Sequence, residues 1–172
     1  MQLDPLYIQA LPGMRTLGST QQAQGVLAVS SIDIGHRHFE LPEGIAYEAN
    51  LSNTGEAVLV SGTATAQLAT SCDRCLEPAI LDITGEIQGY FLLQKPRSER
   101  DRGLQEYECV DEKGRIDIAP AVLAAIVFEI PTVALCQPDC DGGSTQAHVA
   151  EPLSDAPDTN TPSPFSALKD LL

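Results

Sequence analysis

Two alternating runs joined by a very short connection constrain this chain more than any other feature. "EAVLVSGTATAQLA" (56–69) places Val58, Val60, Ala64, Ala66 and Leu68 on one face and Ser61, Thr63, Thr65 and Gln67 on the other. "AILDITGEIQGYFLL" (79–93) repeats the pattern, with Leu81, Ile83, Ile87, Phe91 and Leu93 against Asp82, Thr84, Glu86 and Gln88. A period of two belongs to half-buried strands. Between the runs stands "TSCDRCLEP" (70–78), so the spacing predicts an antiparallel hairpin with Cys72 and Cys75 at its tip. Gly62, Gly85 and Gly89 interrupt the runs and point to bulges or close backbone approach.

The rest of the chain supports a β-rich body. Residues 1 to about 23 mix Pro and Gly punctuation with few patterns, and little regular structure is expected beyond turns. "QGVLAVSSIDI" reads as one strand. "IAYEANL" is a clearer one, with Ile45, Tyr47, Ala49 and Leu51 on a common face and "SNTG" as its turn. "LQEYECV" reads as a short strand followed by a turn at "DEKG". The segment from Pro120 to Glu129 is Ala-rich, tolerates proline in its first turn and stops before Pro131, so it reads as a helix. With aromatics at 5% and no Trp, the core is expected to consist of Ala, Val, Ile and Leu. The fold expected is α+β, a mainly antiparallel β body with one principal helix, over residues 1–140. Residues 141–164 are mostly Gly, Ser, Thr, Pro, Asp and Ala, with four acidic groups and no Lys or Arg, which predicts a flexible acidic linker. Residues 165–172 carry Phe165, Leu168 and Leu171 at helical spacing, a short terminal helix that docks in a groove or packs back on its own domain.

Charge narrows the function classes. Ten basic against twenty-four acidic residues give −14, a field that repels phosphate backbones. DNA and broad RNA binding therefore lack a footprint. A basic partner protein suits the acidity. Four of the ten cations, Lys95, Arg97, Arg100 and Arg102, fall in "QKPRSERDRG", where Glu99 and Asp101 dilute them. That loop, with Arg74, offers at most a weak RNA or partner contact. No apolar run approaches the ~18 to 20 residues of a membrane span. The N-terminus lacks a basic region followed by an apolar block, so a cytoplasmic protein without a signal peptide is expected.

Five cysteines in a reducing compartment argue against a disulfide framework. Cys72 with Cys75, and Cys136 with Cys140, form two close pairs about sixty residues apart. Tetrahedral zinc takes four soft ligands, and two local pairs supply them, each organised by one turn. Independent turn cysteines are the competing reading, since the second pair has a three-residue spacer. Cys109 stands alone as a small buried hydrophobe. A redox pair at Cys72 and Cys75 is a weaker alternative. Strands flank the motif where a helix N-terminus would lower the nucleophile's pKa, and Asp73 opposes the thiolate that Arg74 favours. His36 and His38 share a strand face but fit a polar loop or edge better, and His148 falls in the tail. No phosphate loop, nucleophile elbow or carboxylate pair stands out, so nothing requires an enzyme.

Three motifs in order carry a resemblance. These are "CDRCLEP" between two long strands, "YECVDEKGRIDIAPAVLAAIVFEIPTVALC", and the terminal "SPFSALKDLL". Together they resemble the YceD family, the large ribosomal RNA subunit accumulation proteins, from about residue 45 to the end. The resemblance implies a bacterial cytoplasmic factor, not an enzyme, that supports synthesis, processing or stability of the large-subunit (23S) ribosomal RNA. It implies a basic ribosomal protein or the precursor large subunit as partner. The matching positions are Cys72, Arg74, Cys75, Cys136 and Cys140. Many relatives continue the second cluster with further cysteines, whereas this chain has "DCDGGSTQ".

Overall fold

A computed structural model of the chain describes residues 3–10, 16–94 and 108–142. The hairpin dominates it. Strand β6 (Ala57–Ser71) and strand β7 (Pro78–Leu92) pair antiparallel at all fifteen positions, from Ala57 opposite Leu92 to Ser71 opposite Pro78. At ~3.3 Å per residue each arm spans about 50 Å. One edge of β6 serves two partners in succession. Strand β5 (Ile45–Asn53) lies along Val58 to Thr65, and strand β4 (Arg37–Glu40) meets the same edge near the tip, where Glu40 pairs Ala69. Strand β2 (Thr20–Leu27) flanks β5 over eight positions, and strand β3 (Ser31–Ile34) completes a small hairpin with β4. Strand β8 (Glu108–Cys109) adds a short parallel pairing to β7. Strands β1 (Tyr7–Gln9) and β9 (Arg115–Asp117) form a separate two-stranded sheet. Among the described residues the architecture is mainly antiparallel β with one helix, as the alternating runs imply.

Helix α1 (Ala119–Glu129) packs chiefly on β7, with further contacts to β6 and β5. It buries Ala119, Val122, Ala125 and Ile126, a helical spacing of one face. Asp117 prepares its start, since its Oδ1 accepts from the amides of Ala119 at 3.0 Å and Leu6 at 2.8 Å. Pro131 ends it, and Ile130 before it is already extended at φ −64°, ψ 122°. The helix comes so close to the sheet that a Cβ on Gly85 would lie 1.9 Å from the carbonyl oxygen of Ala125. The glycine inside β7 is thus a contact point for the helix backbone, and the β6–β7 register runs through it without a bulge.

Several expectations are corrected. Residues 1–23 hold β1 and the start of β2. The first has a single buried residue, Ile8, and owes its existence to β9 more than a hundred positions later, which no local pattern reports. "QGVLAVSSIDI" is two strands: β2 ends at Leu27 and β3 starts at Ser31. Polar Gln-rich β2 is held by its backbone ladder to β5, with only Leu27 fully buried. The core is not purely aliphatic either, since Phe39 and Phe91 are its largest fully buried side chains. Of "LQEYECV", Glu108 to Val110 are described, and 104–107 lie outside the described residues, as do the expected linker beyond residue 142 and the terminal helix with Phe165, Leu168 and Leu171. No described helix is long and apolar enough to cross a membrane.

Candidate metal centre

The hairpin tip turns through Cys72 to Glu77 in a compact knuckle. The Cys72 amide donates to the Glu77 carbonyl at 2.8 Å, and the Leu76 amide returns to the Cys72 carbonyl at 3.0 Å. Leu76, the residue after the second cysteine, adopts φ 64°, a left-handed conformation that non-glycine residues seldom take. Its side chain is among the most exposed apolar groups of the described residues. That backbone choice bends the turn so that amides face sulfur. The Cys75 and Arg74 amides point at the Cys72 sulfur, and the Glu77 amide at the Cys75 sulfur.

The second pair arrives from the other end of the domain. After α1 the chain crosses back beneath the knuckle, where the Asp73 amide donates to the Ala134 carbonyl at 2.8 Å. The Asp73 carboxylate accepts from the Ala134 amide and from the Arg37 guanidinium, the latter at 2.7 Å. Arg37 also reaches the Pro131 carbonyl at 3.5 Å, and Arg74 donates to the Cys140 carbonyl at 2.8 Å. Three segments distant in sequence are tied here by charge-assisted bonds. The result brings the four cysteines together. Cys72 and Cys140 sulfurs are 3.7 Å apart, as are those of Cys75 and Cys136, and all four lie within 4.8 Å of one another. With thiolate–zinc bonds of ~2.3 Å, the edge of an ideal tetrahedron is about 3.8 Å. Cys72 and Cys140 are buried, Cys75 is half-buried and Cys136 faces solvent, around a small cluster with Ala79 and Leu135. All four cysteines are at metal-binding distance.

The thiols are unequal. Amide donation to the Cys72 sulfur, first from Cys75 and then from Arg74 and Cys136, outweighs burial and holds its pKa down to about 6. The Glu77 amide favours the Cys75 thiolate, but burial and the Cys72 and Cys140 sulfurs push that thiol up. The Cys136 thiol is pushed up to about 12 by the Cys140 sulfur, then Cys75 and burial. Without metal, the depressed Cys72 stabilises the fold fully above the ordinary thiol value of 9.0 and loses that contribution as pH falls through about 6. The expected result is a urea midpoint of metal-free protein that rises between pH 6 and 9, a rise missing from Cys72→Ser. A flat difference between the two proteins over that range would remove the assignment. A redox nucleophile would also need access, and Cys72 is wholly buried.

Other residues singled out in the sequence fall elsewhere. Arg74 has its guanidinium on Cys140. Lys95, Arg97, Arg100 and Arg102 lie outside the described residues. Cys109 is half-buried in β8. His38, exposed on β4, contacts Asp33 at 2.7 Å, and with His36 and Arg37 it lines an open groove of about 520 Å³ beside the knuckle. Among the described residues, the four cysteines are the cluster sized for a metal. The Arg37–Asp73–Ala134 tie was missed by sequence reasoning. Its partners are 36 and 61 positions apart, and no local signal pairs them.

Fold and site together define a β-rich protein whose longest hairpin carries half of a four-cysteine centre. The chain belongs to the YceD family, described as large ribosomal RNA subunit accumulation protein YceD, whose pattern matches residues 60–172. It is also similar to uncharacterized proteins of Mycobacterium bovis and of two strains of Mycobacterium tuberculosis. Each is 32% identical over 133 residues, covering 72% of this chain and 59% of the relative. The chain therefore aligns with little more than half the length of these relatives. No solved structure matches it. The family description connects the chain with accumulation of large-subunit ribosomal RNA.

Proposed function

We propose that this protein is a non-catalytic cytoplasmic factor in large ribosomal subunit biogenesis, sustaining the synthesis, processing or stability of the 23S RNA. The family membership over residues 60–172 carries this reading. The four cysteines hold one zinc ion in a structural role. Sulfur spacings of 3.7 Å suit tetrahedral thiolate coordination, and amides directed at the Cys72 and Cys75 sulfurs favour the charged ligand form. The ion supplies a crosslink between the hairpin tip and the segment after α1. The direct partner is a basic ribosomal protein or the precursor large subunit, consistent with a net charge of −14. Direct contact with RNA is weak and confined to the basic segment at Lys95, Arg97, Arg100 and Arg102. The terminal apolar residues Phe165, Leu168 and Leu171 provide a docking segment.

The test is genetic. A deletion strain should show mature large-subunit RNA reduced relative to small-subunit RNA, most clearly in fast growth and in the cold. RNA quantified by gel or sequencing would measure it. An unchanged ratio under both conditions removes the functional reading.

A further inference from the structure

Four adjacent strands, β2, β5, β6 and β7, contain no lysine or arginine, although the chain has ten. Their outward face is uncovered by any described residue. The registers align Gln24, Glu48, Thr63 and Glu86 in one row across the sheet, and all four are exposed. Asp82 is also exposed on this face, giving three carboxylates and no cation. Phosphate backbones are repelled by such a surface, and cationic chains are attracted.

The outermost strand of this sheet is β2, which among the described residues pairs only with β5. Sheet edges are commonly blunted by lysine, proline, bulges or extreme shortness. Strand β2 has none of these. It runs eight residues as "TQQAQGVL", uncharged and without proline, in unbroken one-to-one register with β5. Its inward-facing Ala23 is half-buried at the rim of the core.

We infer that the outer edge of β2 accepts an extended, basic polypeptide segment as an added strand. This rests on the basic-partner reading above and assigns it a surface. Backbone pairing would supply sequence-independent affinity, and alternate side chains the selection. Lysine or arginine side chains on the outer face would sit beside Gln22 and Gln24. They would lie about 10 Å, two strand spacings, from Glu48, at the ~10 Å screening length of 0.1 M salt. Side chains on the opposite face meet Ala23, so small apolar residues fit there. A second copy is disfavoured, because it would join two acidic faces in one sheet.

The test uses the full-length protein and two ten-residue peptides, one alternating lysine with valine and one alternating glutamate with valine. The lysine peptide should slow amide hydrogen exchange within residues 20–27, with affinity that falls as salt is raised. Glu48→Lys, on the exposed face of β5, should weaken binding by roughly threefold, whereas Glu86→Lys on β7, about 19 Å from the added strand, should change it little. The inference is overturned if millimolar lysine peptide leaves β2 exchange unchanged, or if the glutamate peptide protects it equally. Concentration-dependent protection of β2 without peptide would assign the edge to a second copy and overturn it as well. These readings come from purified protein, so they succeed or fail separately from the RNA ratio of the deletion strain.

Discussion

Cys75→Ser protein is expected to leave purification without metal, while the parent carries one zinc per chain. The side chain is half-buried at a turn, so replacing sulfur by oxygen there would by itself be a mild change. What makes it severe is the loss of one ligand in four. The remaining thiols then lack a closed tetrahedron, and the Cys136 thiol, still pushed up by the Cys140 sulfur and by burial, needs a metal to displace its proton at neutral pH. A ligand present at a thousandfold its dissociation constant adds about 4 kcal/mol to folded-state stability. For a domain of this size that corresponds to a Tm fall of roughly 10–20 °C. Chelator-stripped parent protein should melt close to the variant. Elemental analysis and thermal scans read both quantities, and a metal-free parent with an unshifted variant would refute the zinc assignment.

Gly85→Ala should be nearly as damaging, against the direction that strand propensity suggests. In an ordinary strand interior, alanine for glycine gains roughly 0.5–1 kcal/mol by restricting the unfolded chain. Here the new Cβ would stand 1.9 Å from the Ala125 carbonyl oxygen, and the obstacle is helix backbone with no side-chain torsion to relieve it. Helix α1 must lift off β7, loosening Val122, Ala125 and Ile126 from the core. A loss of about 3 kcal/mol or more follows from overpacking of this kind. Thr84→Ala on the exposed side of the same strand should stay within about 0.5 kcal/mol. Urea unfolding of the two variants decides the matter, and a Gly85→Ala protein as stable as the parent would show that the helix does not rest on this glycine.

The hairpin and the cysteine set were legible because both are written in local patterns. Period two over two runs of about fifteen residues leaves little choice of structure, and Cys-x-x-Cys between them can only be its turn. The pairing of Cys72 and Cys75 with Cys136 and Cys140 followed from ligand chemistry, since zinc asks for four thiolates and the sequence has two close pairs. The pieces that escaped are held by partners remote in sequence. Ile8 opposite Ile116 gives β1 its strand, and a backbone ladder to β5 gives polar β2 its own. Asp73 looked in the sequence like a charge opposing a thiolate. In the fold it is the acceptor for Arg37 and the Ala134 amide, a role that only tertiary structure discloses.

The centre's two halves are separated by 61 residues between Cys75 and Cys136 and by 68 between Cys72 and Cys140. A metal held by all four sulfurs therefore acts as a reversible staple across a long loop. Closing a loop of about 60 residues removes chain entropy from the unfolded ensemble worth roughly 4 kcal/mol in the simplest polymer treatment. It also sets a clock. At ~5 to 20 residues per second of synthesis, the second pair is made about 3 to 12 s after the first. Throughout that interval the nascent hairpin offers two thiols and no complete tetrahedron. Capture of a metal by all four sulfurs would consequently mark the moment at which β7, α1 and the return segment have all come into place, and an ion firmly retained would be a certificate that the domain is whole.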